Sequence, residues 1–304
     1  MSSARPRGVI AATATPVDAA FRPDLPRLVR HCRALLNGGC DAINLLGTTG
    51  EATSFSVAQR LEVMKAISDS GLPLARFMVG TGVCSLDETV TLTRAACEMG
   101  YAGALVLPPF FYPGVQVEGL VAYVDALVER VDHPALAMYL YHIPQNTKVP
   151  WPVDVVAELK RRHPSVLVGL KDSAGNLAYA KEVVRAVPGF DVFPSSEPSL
   201  ADARDEGYAG CISATVNLTA ALSQVGWSQQ GTAEGAAAVA KAAAVRAALS
   251  KQPLVASVKS ALAARYHDPE WARLAPPLQA LSETQARLLQ DALAALDNES
   301  RSHA

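Results

Sequence analysis

The chain has 304 residues, half of them apolar and 18% charged, enough to bury a core as one large domain or two ordinary ones. Its 27 Lys and Arg against 29 Asp and Glu leave a formal charge of −2, which argues against a nucleic-acid-binding stripe. The five cysteines are odd in number and form no CxxC pair, and the six histidines lack HxxxH spacing, so neither a disulfide framework nor a metal site is expected.

The N-terminal MSSARPRGVI reaches an apolar run too soon for a signal peptide. The alanine-rich stretch Gly235–Leu249 is interrupted by Lys241 and Arg246, so it reads as a soluble helix rather than a membrane span. The expectation is a soluble, cytoplasmic protein with buried, reduced thiols and no membrane partner.

In chain order, short apolar runs suited to strands appear at Gly8–Thr15, Ala42–Gly47, Ala75–Gly80, Ala104–Leu107, Ala135–Tyr141, Val166–Lys171, Asp191–Pro194 and Gly210–Ser213. Between them lie helical segments such as Leu25–Leu36, Val57–Ser70, Leu86–Met99 and Glu118–Val131, with Ser85 and Gly100 as caps for the third. Continuous apolar strands separated by helices indicate a parallel sheet buried on both faces, and eight such units point to a closed (β/α)₈ TIM barrel. After the eighth strand no strand candidate remains. Residues 231–304 then read as a C-terminal helical extension to a barrel over residues 1–230, broken at Gln252-Pro253 and Pro276-Pro277, with a frayed NESRSHA tail.

Barrel enzymes carry their chemistry at the C-terminal ends of the strands. The sixth run, SVLVGLKDSAG, alternates so that Leu167, Gly169 and Lys171 share the inward face while Val166, Val168 and Leu170 meet the helices. A lysine in a barrel mouth is costly unless it is paired or working, and burial favours the neutral, nucleophilic amine. The alternative is a structural ion pair with Asp172, which alternation turns to the other face. In ALAMYLYHIPQNT, Ala137, Tyr139 and Tyr141 share a face, and Tyr141 ends the strand beside Lys171. A phenol there suits proton transfer, although a terminal tyrosine is more often a core ring; His142 on the opposite face reads as structural. Gly47–Glu51, GTTGE, offers two hydroxyls and several amides for a small anion, or is an ordinary turn; it is neither a GxGxxG nor a Walker loop. The aromatic loop LPPFFYPGV fits a substrate wall, a subunit contact or packing equally well.

Together these segments resemble the dihydrodipicolinate synthase/N-acetylneuraminate lyase family of class I aldolases. The resemblance runs from ATATPVD (Ala12–Asp18) through GTTGE, PPFFYP, YHIPQNT and GLKDSAG to GCISATVN (Gly210–Asn217), and the helical extension also matches. It implies a small-molecule 2-oxo acid substrate, a homotetramer, and chemistry that needs neither a metal nor an organic cofactor. Lys171 would form a Schiff base with pyruvate or a longer 2-oxo acid, Tyr141 would relay protons, and Thr48 and Thr49 would hold the carboxylate, with Thr48 joining the relay. The backbone of Ile212 would lie near the bound acid.

The sequence departs from the family pattern at three places. Where the synthases carry an arginine, two residues after the proline of YxxP, it has Asn146, which cannot form a bidentate carboxylate pair. Phe111 aligns with the relay tyrosine lent across a subunit interface. Ser196 replaces a strand-seven glycine beside the substrate chain, with Glu197 next to it. These point to a lyase acting on a 2-oxo-3-deoxy sugar acid or a similar hydroxylated 2-oxo acid. Dihydrodipicolinate synthase and a non-catalytic 2-oxo-acid-binding protein are the alternatives.

Overall fold

The computed structural model describes residues 5–302; Met1–Ala4, the start of the segment weighed as a signal peptide, and His303–Ala304 lie outside the described residues. Eight strands run in chain order as β1 (Gly8–Ala12), β2 (Ala42–Leu45), β3 (Phe77–Gly80), β4 (Gly103–Val106), β5 (Met138–His142), β6 (Leu167–Asp172), β7 (Asp191–Pro194) and β8 (Gly210–Ser213). All neighbours pair in parallel, and β1 pairs with both β2 and β8. Between β7 and β8, Ala209 N–H donates to the Val192 carbonyl at 2.9 Å. The sheet therefore curls into the (β/α)₈ barrel that the alternation of elements implies.

Helices α1 (Leu25–Asn37), α2 (Val57–Asp69), α3 (Leu86–Met99) and α4 (Val117–Val131) follow the first four strands. A single turn α5 (Pro144–Thr147), then α6 (Val153–Arg162), α7 (Ala178–Ala186) and α8 (Val216–Ser228) complete the ring. Their apolar faces cover the outer side of the sheet. Ser85 Oγ accepts from Glu88 N at 3.4 Å and Gly100 closes α3 at φ +88°, the caps expected there. The longest basic run, Lys160-Arg161-Arg162, ends α6, where its charges suit the helix terminus; Arg161 pairs with Glu158, and Arg162 with Asp125.

Strand limits differ from the sequence reading where side chains or prolines interrupt the ladder. β1 stops at Ala12 instead of Thr15 because Asn217 takes over. Its amide donates to the Ala12 carbonyl at 2.8 Å and accepts Ala14 N–H at 3.1 Å. Before β3, Pro73 opens a 3₁₀ turn at Leu74–Arg76, so the strand begins at Phe77.

The expected face alternation in β6 fails at its start. Met138 pairs with Leu167 but Tyr139 pairs with Gly169, so Val168 is an extra residue in a bulge. Leu167 therefore packs outward and Val168 inward, the reverse of the expectation, whereas Leu170 and Lys171 keep their predicted faces. The Tyr139 ring accounts for the glycines on either side of it. A Cβ on Gly103 or on Gly169 would come within 2.6 Å of that ring.

The extension consists of α9 (Ala233–Leu249), α10 (Leu254–Tyr266) and α11 (Glu283–Ser302). Helix α11 continues through most of the tail read as frayed. Four cysteines are buried, but Cys84 is exposed beside α3; all five thiols are free. No helix among the described residues is long and apolar enough to cross a membrane.

A buried ion pair ties α10 to the barrel. Lys259 Nζ pairs with Glu51 and donates to the Thr15 carbonyl at 2.9 Å, and Glu51 also accepts Ala275 N–H at 2.8 Å. Both side chains are fully excluded from water, and burial pushes the Lys259 amine down. Removing one partner strands a buried charge, which costs about 3–5 kcal/mol. Lys259→Met is thus expected to lower the urea midpoint by that amount of stability, and adding Glu51→Gln to recover much of it. A single-variant loss below about 1 kcal/mol would contradict this reading.

Candidate active site

At the C-terminal mouth of the barrel, β5 and β6 end side by side with Tyr141 paired to Lys171 in register. The Lys171 side chain is 3% exposed. Its Nζ lies 3.4 Å from Tyr141 Oη and 4.4 Å from the ring centroid. Asp172, the candidate ion-pair partner, points away: its carboxylate accepts Ala174 N–H at 2.9 Å, and burial raises its pKa to about 6. No carboxylate faces Lys171 among the described residues. The structural ion-pair reading of this lysine therefore fails.

Tyr141 Oη is also 3.0 Å from Thr48 Oγ1. The three groups form a continuous polar chain, Lys171–Tyr141–Thr48, through which protons can pass. The turn that delivers Thr48 is strained, with Leu46 at φ +52° and Glu51 at +55°. Within it, Glu51 N–H and Ala52 N–H donate to the Thr48 and Gly47 carbonyls. The N–H groups of Thr48 and Thr49 and the Thr49 hydroxyl keep no partner among the described residues. These unspent donors suit a small anion. The buried Glu51–Lys259 pair anchors the turn from below.

This chain opens on a cavity of about 530 Å³ whose lining includes Thr48, Thr49, Tyr141, Asn146, Lys171 and Ile212. The structure therefore brings together six of the seven residues singled out in the sequence. The seventh, Ser196, does not line it; Ser195 does. Strand β7 ends at Pro194, and the Ser196 carbonyl accepts the Ser199 N–H and hydroxyl, which starts a 3₁₀ turn away from the cavity. A smaller cavity of about 270 Å³ shares Thr48, Tyr141 and Asn146 and is walled by Phe110. Phe111 and Tyr112 instead project outward, 77% and 71% exposed.

His142 occupies the far side of the strand. It stacks on Tyr179 at 3.8 Å and accepts Trp151 N–H at Nδ1, and burial holds its pKa down at about 4. It is a packed, neutral side chain that takes no part in the cavity.

Sequence reasoning missed Ser173, Ser195 and Arg246, all of which line the large cavity. Arg246 comes from α9. Its Nη1 donates to Ser213 Oγ at 3.1 Å and lies 3.4 Å from the buried Glu197 carboxylate. The one sequence sign of it is a charge interrupting an alanine-rich helix, and that does not say which way the charge points.

The dihydrodipicolinate synthetase family model matches residues 5–296. A DapA-like lyase of Chloroflexus aurantiacus is 35% identical over 94% of this chain and 95% of its own length. A 4-hydroxy-tetrahydrodipicolinate synthase of Ectopseudomonas mendocina is 31% identical over 69% of this chain and 70% of its own. The crystal structure of dihydrodipicolinate synthase from Agrobacterium tumefaciens superposes with a TM-score of 0.87 at 26% identity, covering 95% of this chain and 99% of that one. A barrel of this topology, a lysine and a tyrosine side by side at its mouth and a match along almost the whole length lead to one assignment: the chain is a lyase of the dihydrodipicolinate synthetase family.

Proposed function

We propose that the protein is a Schiff-base-forming aldolase that cleaves or forms a hydroxylated 2-oxo-3-deoxy acid, with pyruvate as one product or substrate. The observation that carries this is the Lys171–Tyr141–Thr48 chain, with contacts of 3.4 and 3.0 Å, at the edge of a cavity rich in unspent polar groups. The amine of Lys171 adds to the C2 ketone of an acid whose carboxylate rests on the amides and hydroxyls of Thr48 and Thr49. Loss of water leaves a protonated imine, an electron sink. In cleavage, Tyr141 takes the C4 hydroxyl proton as its own passes toward Thr48. The C3–C4 bond breaks, its electron pair forms an enamine, and C4 departs as an aldehyde. Return of the proton to C3 and hydrolysis release pyruvate and the free lysine. In the dehydratase variant the imine instead loses a C3 proton, and the enamine so formed, with C4 still attached, expels the C4 hydroxyl as water while the imine is restored.

The lining favours hydroxyl-bearing substrates. Asn146, Ser173, Ser195 and Gln279 have no side-chain hydrogen-bond partners among the described residues, so they can donate to and accept from a polyhydroxy chain. The synthase reading is less well supported, because among the described residues none that lines the cavity is acidic, and the ammonium of aspartate semialdehyde finds no countercharge among them. A role as a 2-oxo-acid-binding protein leaves the proton relay without a task. Assembly as a homotetramer, with the exposed Phe111 and Tyr112 available for contacts, and residence in the cytoplasm belong to the same proposal.

A panel of 2-oxo acids assayed for released pyruvate tests this. We expect kcat/KM for cleaving a suitable 2-oxo-3-deoxy acid to exceed that for condensing pyruvate with aspartate semialdehyde. Asn146→Arg should narrow the gap by roughly 10–150-fold, the reach of a charged hydrogen bond. Condensation with aspartate semialdehyde that outpaces every hydroxylated acid would restore the synthase reading.

A further inference from the structure

Among the described residues, the large cavity contains two cationic side chains and no acidic one: Lys171 from the barrel and Arg246 from the extension. The reaction proposed above uses only the first. The second needs its own explanation, because a guanidinium brought from α9 into a cavity lined by Ile212, Ala214 and Leu254 is costly to desolvate.

Arg246 is built in, not loosely placed. Its side chain is 24% exposed, and Nη1 alone is engaged by protein: Ser213 Oγ at 3.1 Å, Thr215 Oγ1 at 3.3 Å and Glu197 Oε2 at 3.4 Å. Glu197 is itself fully buried and accepts hydroxyl hydrogens from Thr215 and from Thr219, the latter at 3.1 Å. That shared carboxylate and two hydroxyls fix the rotamer of the arginine. Nε and Nη2 have no partner among the described residues, so donors of a planar fork remain unspent in the cavity. The carboxylate at the reacting end is already provided for by the Thr48–Thr49 turn, and Thr48 and Arg246 line the same cavity of about 530 Å³. Both groups therefore face one shared space.

We propose that Arg246 is a specificity residue that binds a second, distal anionic group, so the preferred substrate is a 2-oxo-3-deoxy acid charged at both ends. This inference rests on the aldolase reading. It also explains how a chain with Asn146 can still recognise a second acid: the charge comes from the helical extension, on the β8 side of the mouth, and not from the loop after β5. Glu197 is the positioning residue of this unit. Its carboxylate is turned to the arginine and the hydroxyls, and it is not among the groups lining the cavity.

The test compares three six-carbon 2-oxo-3-deoxy acids as substrates: one ending in a carboxylate, one ending in a primary hydroxyl, and the phosphate monoester of the latter. Wild-type protein should give a higher kcat/KM for a doubly charged acid than for the singly charged one, and whichever anion is preferred identifies the distal group. Arg246→Met should cut the ratio of doubly to singly charged substrate by roughly 10–150-fold, and Arg246→Lys should restore part of it. Because Arg246→Met strands the buried Glu197, the pair Arg246→Met/Glu197→Gln provides a second measurement of the same ratio. A ratio unchanged in both variants, or a wild-type preference for the singly charged acid, would overturn the proposal. Failure of wild-type protein to trap pyruvate on Lys171 would instead strike the aldolase reading beneath it.

Discussion

Lys171→Ala is expected to abolish measurable turnover while leaving the barrel folded. The lysine supplies the nucleophile, and removing an enzymatic nucleophile lowers kcat on the order of 10⁶-fold. Among the described residues no other lysine lines the cavity, so none of them can take its place there. The fold should tolerate the change because Lys171 has no ion-pair partner whose charge would be stranded. The lost methylenes lie at the cavity edge, where water can enter, and not in a closed core. Circular dichroism and the urea midpoint check the fold, and pyruvate release from the best acid of the panel checks the chemistry. Turnover within tenfold of wild type would remove Lys171 from the mechanism.

Tyr141→Phe should lower kcat by about 10²–10⁴-fold, the range for a positioned acid–base group. The substitution keeps the buried ring against the barrel interior and takes away only the hydroxyl that joins Lys171 to Thr48. Lys171 retains the ring face beneath it, so its position should hold. Formation of the imine and protonation of the enamine both lose their relay, so single-turnover trapping should slow along with kcat. Thr48 is exposed and can turn to water without penalty. A near-normal kcat would return Tyr141 to a packing role.

What the sequence makes legible follows from period and order. Alternation alone puts Lys171 and Tyr141 inward at adjacent strand ends, and both stand there, because each strand is regular over its last residues. The eight apolar runs give the barrel, since buried parallel strands leave an apolar signature on both faces. The misplacements have local causes. Val168 and Leu167 exchange faces because a bulge inserts one residue, and a one-residue shift reverses every face it touches. Ser196 falls outside the cavity for a related reason: the chain turns immediately after β7 and presents Ser195 instead.

The contributions of the extension were not legible, because they depend on pairings across long stretches of chain. Glu51 reads as part of an anion-binding turn, yet its carboxylate is spent on Lys259, 208 residues away. Arg246 reads as a solvated charge on an alanine-rich helix, but it reaches Ser213 33 residues upstream and, through it, the mouth of the barrel. Periodicity places a residue on a helix face; it does not say which element that face meets. His31 shows the same limit. It is buried and held near pKa 4 by desolvation, and donates from Nε2 to Asn217 Oδ1 at 2.8 Å while Nδ1 accepts from the Tyr266 hydroxyl at 2.8 Å. It thereby links α1, α8 and α10 in a contact that no linear motif marks.

The central claim is that Lys171 forms a covalent imine with a 2-oxo acid, and borohydride trapping tests it most directly. Wild-type protein incubated with pyruvate and borohydride is predicted to gain one reduced pyruvyl group per chain, located by peptide mass spectrometry at Lys171, and to lose activity in step with labelling. Lys171→Ala should gain none. An adduct that maps to a different lysine, or an active preparation that acquires no adduct, would contradict the account.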